Sequence, residues 1–296
     1  MPITDEELAL TAAQAGAAVV RAMYGGPLTR FEKSADDFAT AADIEAERAI
    51  LDVIRTARPD DAVTGEESGR TGRDDAERVW LVDPLCGTLN YAARGMLVAV
   101  NVALRTGSGV TAAACADPFS GEVFWTGGTG GVSEADGTGE TGGIGETRRV
   151  GETGGTGARA YVRRDGVDEP LAPSAGSRLV DVNLDPPFPN APGFRAVRLL
   201  AEPGFAERFR PRVVSTTLAV TWVAAGRRAA YVTDGHLEDS VHFAAGVALC
   251  RAAGCVVTGI DGRPPHTGAG GLVVAADRET HAALLELIGE QLPSGR

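Results

Sequence analysis

The stretch RVWLVDPLCGTLNY, residues 78–91, constrains the fold more than any other part of the chain. Its apolar run is typical of a buried strand, and it ends in Asp83, followed by Pro84. A tight turn comes next, in which Gly87 and Thr88 stand where a helix could begin. An acid at the end of a buried strand, followed by a Gly-Thr turn, is typical of a place that holds a metal ion and a phosphate.

Helix and strand patterns alternate in blocks along the rest of the chain. Thr4 and Glu7 form a capping-box pattern before apolar residues at helical spacing, which predicts a helix over about residues 4–24. The sequence also predicts a helix over about 40–58, a short strand before Glu66 and paired strands at 97–104 and 109–116. A hairpin turn is predicted at Asp165-Gly166, and strand and helix patterns follow from residue 215 onward. This alternation predicts a layered α/β or α+β architecture.

The domain prediction rests on length and composition. The chain has 296 residues, of which 44% are hydrophobic and 23% charged, so a sizeable core is available. We predict a single domain over 1–296 in two halves, about 1–180 and 181–296. Residues at about 127–157 are rich in Gly, Thr and Glu and lack apolar periodicity, which predicts a flexible surface insertion.

Charge and cysteine usage limit the classes of partner and compartment. The net charge of -12 argues against a broad nucleic-acid or anionic-membrane surface, although a local site can still hold a small anion. No secretory signal pattern is visible, and no apolar run approaches the ~20 residues of a membrane span. The four cysteines show no CxxC spacing. A reduced, cytoplasmic protein without nucleic-acid or membrane partners is therefore expected.

Oxygen donors follow two of the predicted strands and suggest a metal-binding site. Glu66 and Asp83 can converge on one Mg²⁺ ion, with the Leu85 carbonyl as a third ligand. The Thr88 hydroxyl can orient a water with Glu66 as its base partner, and the backbone N–H groups of Gly87 and Thr88 can cradle a phosphate. Hydrolysis of a phosphate ester needs such cations. Taken singly, Glu66, Glu67 and Asp43 could equally be solvated surface residues, whereas Asp83 at the end of a buried strand favours a functional role. Gly87 could serve only its turn.

Four blocks in this order resemble the inositol monophosphatase family of metal-dependent phosphatases. They are DDFATAAD (36–43), GEES (65–68), WLVDPLCGTLNY (80–91) and VHFAAGVALCRAAGCVVT (241–258). The resemblance covers nearly the whole chain except the Gly-rich insertion. It implies an inositol-monophosphatase-like α+β fold, layered as an αβαβα sandwich, and a homodimer. It also implies an Mg²⁺-dependent phosphomonoesterase acting on a small sugar, cyclitol or polyol phosphate.

The resemblance assigns roles to individual positions. By its pattern, Glu66, Asp83 and the Leu85 carbonyl hold the first metal ion, and Thr88 positions the attacking water. Asp43 matches an acid near that water and an additional metal. The positions expected at the substrate are Gly87, Thr88, Ser215, Thr216 and Asp234.

Two positions depart from the family pattern. Cys86 replaces the second aspartate of D-P-L-D-G-T, and His242 replaces the aspartate of W-D-x-A-A-G. In the family these two aspartates and the residue matched by Asp83 bind the same second metal. We therefore expect Cys86 and His242 to face each other.

Four interpretations of this pair remain open. The second metal site could be weakened in a slow phosphatase. Asp83, Cys86 and His242 could bind Zn²⁺ or another transition ion as a softer site. Cys86 and His242 could be a nucleophile and base in a different enzyme, or the chain could be an inactive ligand-binding homologue. Each of the two residues alone is most often structural, but the retained acids favour the phosphatase.

Overall fold

The structure is a computed structural model that describes residues 2–34, 37–127, 159–184, 195–235, 237 and 240–292. Within these residues the chain forms an eight-stranded sheet, a five-stranded sheet and a separate two-stranded hairpin. Helices cover both sheets. No helix in the described part of the chain is both long and apolar enough to cross a bilayer.

The first layer consists of two helices, and it packs on the eight-stranded sheet, which is the second layer. Thr4 and Thr40 cap the two helices in capping boxes completed by Glu7 and Asp43. The elements up to Pro170 are α1 (Asp5–Met23), β1 (Arg30–Ser34), β2 (Asp37–Thr40), α2 (Ala41–Ala57), β3 (Ala62–Gly65), β4 (Gly69–Thr71), β5 (Val79–Cys86), α3 (Thr88–Ala92), β6 (Ala99–Thr106), β7 (Gly109–Ala116), β8 (Val123–Gly127), β9 (Arg159–Arg164) and β10 (Val167–Pro170). The strand order is β10-β9-β8-β7-β6-β5-β3-β4, and only the β3–β5 pair of that sheet is parallel.

The remaining layers are built from the second half of the chain. Its elements are β11 (Leu179–Val182), α4 (Ala196–Leu200), α5 (Pro203–Arg208), β12 (Arg210–Val213), α6 (Leu218–Ala224), β13 (Ala230–Thr233), α7 (Ala244–Ala253), β14 (Val256–Thr258), β15 (Leu272–Ala275) and α8 (Arg278–Gly289). The second sheet has the order β12-β11-β13-β15-β14.

Side-chain alternation along the strands creates the layering. On β5, Trp80 and Val82 pack toward α1 and α2, whereas Val79 and Leu81 pack toward α7. Helices α6 and α7 also contact the second sheet through Tyr231 and Val274, and the far face of that sheet packs on α5 and α8. The predicted αβαβα sandwich is therefore confirmed. Because Asp83 continues the alternation of Leu81, it faces the central helical layer.

Several sequence predictions match these elements and others have no counterpart. The predicted helices over 4–24 and 40–58, the paired strands and the hairpin at Asp165-Gly166 are confirmed. The hairpin of β1 and β2 was not predicted because most of its described side chains are exposed and show no apolar alternation. The Gly-rich insertion lies outside the described residues except Gly127. The predicted boundary near residue 180 falls within β11, the first strand of the second sheet, and the division into two halves stays a prediction.

An ion-pair network ties the first sheet to the central layer and gives a test by pH. The Glu122 carboxylate accepts from Arg164 on β9 and from Arg227, which follows α6. Burial alone would raise the pKa of Glu122, but the two guanidinium groups lower it below 4.5. The stabilisation is therefore present above about pH 4.5 and is lost as the pH falls through the folded-state pKa.

We expect Glu122→Gln to remove this pH-dependent stabilisation. The variant should be about 1 kcal/mol less stable at pH 7, because the two arginines are partly exposed and solvent weakens their pairing. Urea unfolding at pH 7 and pH 4 measures both effects. The gap between wild type and variant should shrink at pH 4, and a gap that widens on acidification would contradict this assignment.

Candidate active site

An irregularity in β5 brings Asp83 and Cys86 to the same face of the sheet. Residues three apart on a regular strand point to opposite faces. From Asp83 to Cys86 the chain advances three residues on β5 but only two on β6, so the Pro84-Leu85 segment contains one extra residue, which reverses the alternation of side chains. Both side chains then reach the central helical layer, where α7 begins.

His242 lies in the turn immediately before α7 and reaches Asp83. Its Nδ1 is 2.8 Å from Asp83 Oδ2, although the two residues are 159 positions apart in sequence. One ligand atom each from Asp83, Cys86 and His242 lie within 4.8 Å of one another. The structure therefore brings Cys86 and His242 together beside Asp83, as their positions in the sequence motifs predicted.

Hydrogen bonds from neighbouring backbone and side-chain groups hold Asp83 and Cys86 in position. Asp83 is fully buried and accepts from the backbone N–H of Leu85 and from Asn101 Nδ2. Asn101 Nδ2 also donates to Thr217 Oγ1. The backbone N–H of Thr217 in turn donates to Cys86 Sγ at 3.3 Å. Asn101 and Thr217 did not emerge from the sequence. The pairing of Asp83 with Asn101 across β5 and β6 reveals Asn101, and the contacts of Thr217 with Asn101 and Cys86 reveal Thr217.

Glu66 follows β3 and approaches the same cluster from the neighbouring strand. Its Oε2 lies 4.0 Å from His242 Nδ1, is buried and has no hydrogen-bond partner among the described residues. Its Oε1 faces Lys33 of the β1–β2 hairpin at 3.3 Å, and Lys33 also pairs with Glu67 at 2.7 Å. Lys33 is a site residue that the sequence motifs did not single out.

Positive charge controls the ionisation of Glu66 and Asp83. Burial and the neighbouring Asp83 charge raise the pKa of Glu66 to about 8. Burial alone would lower the pKa of His242, but the charge and hydrogen bond of Asp83 hold that pKa well above its ordinary value. His242 and Lys33 supply positive charge beside the two carboxylates, and a bound cation would supply more and so favour the ionised form of Glu66. The buried, unpartnered Glu66 oxygen is the group that such a charge would satisfy.

A second group of residues lies at the end of β5. Thr88 Oγ1 is 2.9 Å from Asp43 Oδ1 and 3.2 Å from the Leu85 carbonyl oxygen. The other oxygen of Asp43 accepts from the backbone N–H and the hydroxyl of Thr40 at the start of α2. Asp43 is fully buried, and both of its carboxylate oxygens are engaged in hydrogen bonds. Thr88 is therefore the residue through which Asp43 contacts the end of β5.

Gly87 forms a close backbone turn beside this group. Its φ is +102°, and a Cβ at this position would lie 2.8 Å from the Leu97 carbonyl oxygen and 3.4 Å from that of Ser215. Asn90 Nδ2 donates to both of these carbonyls, which holds the 215–217 segment against the turn. A side chain at residue 87 would therefore fill the space between the two segments.

The substrate positions expected from the sequence fall into two places. Ser215 and Thr216 adjoin the Gly87 turn, with Thr216 buried and its hydroxyl accepting from the Leu218 N–H. Asp234 is buried elsewhere, where its Oδ2 accepts from the Ala196 N–H at the start of α4 and lies 3.4 Å from Arg195 Nε. The carboxylate of Asp234 is thus engaged with α4, and its role at the substrate stays a prediction.

Two comparisons with protein sequences bear on this geometry. A profile described as the inositol monophosphatase family matches residues 4–292. An inositol-1-monophosphatase of Caulobacter vibrioides is 29% identical over 259 residues, which cover 86% of this chain and 88% of that protein. The protein named Nus factor SuhB of Escherichia coli is also 29% identical, over 262 residues that cover 88% of this chain and 85% of that protein.

Solved structures share the fold. The extragenic suppressor protein suhB of Bartonella henselae superposes with a TM-score of 0.72 at 22% identity, covering 95% of this chain and 96% of that one. An IMPase of Thermotoga maritima gives a TM-score of 0.70 at 19% identity, covering 95% of each chain. Since the profile match spans almost the whole sequence and the layered fold agrees, the chain belongs to the inositol monophosphatase family.

Proposed function

We propose that the protein is a metal-dependent phosphomonoesterase acting on a small sugar, cyclitol or polyol phosphate. The observation that carries this proposal is the hydrogen bond from Thr88 to Asp43 at the end of β5, beside the Leu85 carbonyl. A hydroxyl, a buried carboxylate and a carbonyl converge at this strand end. This arrangement can position a water for attack on a phosphate.

Thr88 is the residue that holds the attacking water. Because its single hydroxyl proton is donated to Asp43, the remaining lone pairs of Oγ1 are left to accept a hydrogen bond from water. Asp43 is rigid in this arrangement, since Thr40 holds its second oxygen. The Glu66 carboxylate is the proposed acceptor of the proton that the water releases.

The residues that would hold the first metal ion are Glu66, Asp83 and the Leu85 carbonyl. All three offer hard oxygen donors, which suit Mg²⁺, and the buried, unpartnered Oε2 of Glu66 supports this assignment. When bound, the ion would screen the phosphoryl oxygens and make deprotonation of water easier. Asp83 is held ready for this role by Leu85 and Asn101.

The phosphate is proposed to lie at the turn of Gly87 and Thr88. The backbone N–H groups that open α3 are the proposed phosphate contacts, as the family resemblance implies, and the turn that presents them needs glycine because residue 87 has a φ of +102°. Ser215 and Thr216 border the same turn and are proposed to contact the substrate. We extend the proposal to a homodimer on the family resemblance and to a cytoplasmic location on the cysteine usage.

Direct thiol chemistry at Cys86 is less well supported. Burial and the neighbouring Asp83 charge raise the pKa of the Cys86 thiol. A nucleophilic cysteine needs its pKa lowered, so that the thiolate is present at neutral pH. In addition, His242 Nδ1 is engaged with Asp83 rather than left to act as a base toward a substrate.

Phosphate release tests the proposal directly. Chelator-treated protein is supplied with Mg²⁺, with Zn²⁺, with both ions or with none, and is incubated with a panel of sugar, cyclitol and polyol monophosphates. We expect metal-dependent release of inorganic phosphate from at least one member of the panel. No release from any member under any of the four conditions would overturn the proposed function.

A further inference from the structure

We infer that Asp83, Cys86 and His242 form a binding site for one transition-metal ion, of which Zn²⁺ is the best fit. In the family this place holds a second hard cation between aspartates, and the residues of this chain do not suit one. Mg²⁺ requires six oxygen ligands at close to octahedral geometry. A thiolate and an imidazole instead favour zinc and its neighbours in the transition series.

The observed separations suit a tetrahedral ion. The three ligand atoms lie within 4.8 Å of one another, and the closest pair, His242 Nδ1 and Asp83 Oδ2, is 2.8 Å apart. Ligand atoms around tetrahedral zinc are separated by roughly 3.3–3.8 Å, given bonds of about 2.0–2.3 Å. Small side-chain adjustments would therefore admit the ion. The thiol proton of Cys86 and the Nδ1 proton of His242 would leave to solvent, and the ion would take the place of the contact between His242 and Asp83.

The supporting hydrogen bonds are already in place. The Thr217 backbone N–H donates to Cys86 Sγ, and Asn101 joins Asp83 to the Thr217 hydroxyl. Such outer contacts orient ligands in metal sites and raise the affinity for the ion. With three protein ligands the ion keeps one open position, which is the arrangement of zinc sites that act on substrates. Glu66 Oε2, 4.0 Å from His242 Nδ1, borders this position.

Cobalt titration of the chelator-treated full chain tests this inference, because a thiolate ligand gives Co²⁺ a near-ultraviolet charge-transfer band. We expect one equivalent of Co²⁺ to bind with this band and one equivalent of Zn²⁺ to displace it. Cys86→Ser should abolish the band and weaken Zn²⁺ binding by more than about 100-fold, since even loss of an outer-shell partner costs 10–100-fold. Cys255→Ser, which changes a half-buried cysteine outside the cluster, should leave both unchanged.

The double variant Cys86→Asp with His242→Asp provides the second arm, and circular dichroism reports whether each variant folds. This double variant should lose the charge-transfer band and bind Mg²⁺ more tightly than the wild-type protein does. Absence of the band in wild type would overturn the inference, as would a band that persists in folded Cys86→Ser. The inference goes beyond the proposed function, and because metal binding is measured without substrate, its failure is distinguishable from a failure to release phosphate.

Discussion

Asp83→Asn is expected to lower metal-dependent phosphate release by at least about a thousandfold. The amide keeps the size of the side chain but removes the charge that is proposed to hold the first ion and that pairs with His242. Metal ions stabilise a transition state of this kind by several kcal/mol, and a thousandfold loss corresponds to about 4 kcal/mol. The measurement is the rate of phosphate release at saturating Mg²⁺ and substrate.

Asp181→Asn is the matched control for this variant. Asp181 is also a fully buried aspartate on a strand, but it lies in the second sheet, where it pairs with Arg228 at 2.8 Å. We expect it to lose stability while its folded fraction keeps the wild-type turnover. Equal losses of turnover in the two variants would show that burial, and not the site, explains the effect of Asp83→Asn.

Thr88→Val is expected to lower kcat by about a hundredfold or more while KM changes little. Valine matches threonine in shape but lacks the hydroxyl that contacts Asp43 and that is proposed to hold the attacking water. A positioned group of this kind contributes about 10²–10⁴-fold to a proton-transfer reaction. Steady-state kinetics with the best substrate of the panel measures both constants.

Thr221→Val is the control for Thr88→Val. Thr221 is fully buried, whereas Thr88 is half-buried, and the Thr221 hydroxyl donates to the Leu218 carbonyl within α6, away from the strand end. Its kcat and KM should stay at wild-type values. If Thr88→Val raised KM and left kcat unchanged, Thr88 would be a residue that binds substrate, and the assignment of the water to it would be wrong.

The central part of the site could be predicted from sequence because it depends on local patterns. A buried strand that runs into Asp83 and a Gly-Thr turn identify the strand end and its chemistry. The motif positions also predicted that Cys86 and His242 meet, since each replaces an aspartate of the same pair. The structure adds why Asp83 and Cys86 point the same way, which is the register shift in β5.

Other parts of the site depend on contacts that leave no local pattern. Asn101 looks like an ordinary strand residue, and only the register of β5 with β6 places it against Asp83. Lys33 lies in an exposed hairpin without apolar alternation, so its approach to Glu66 is a tertiary event. Asp234 shows the converse, since its place in the chain suggested the substrate while its carboxylate binds the start of α4.

The two halves of the site carry different chemistry in this account. Glu66, Asp83 and Leu85 offer the hard oxygen donors that a phosphatase needs, beside a water-positioning pair of Thr88 and Asp43. Cys86 and His242 change the adjoining position toward softer ions. On the proposed assignments, the fold supports one hard and one soft site that share Asp83.

The most direct test of the phosphatase assignment is a crystal structure grown with Mn²⁺, an anomalous scatterer that replaces Mg²⁺, and inorganic phosphate. We predict an anomalous peak at an ion bound by Glu66 Oε2, Asp83 and the Leu85 carbonyl, with phosphate against the Gly87-Thr88 turn. A structure in which no ion lies between Glu66 and Asp83 and no phosphate lies at this turn would contradict it.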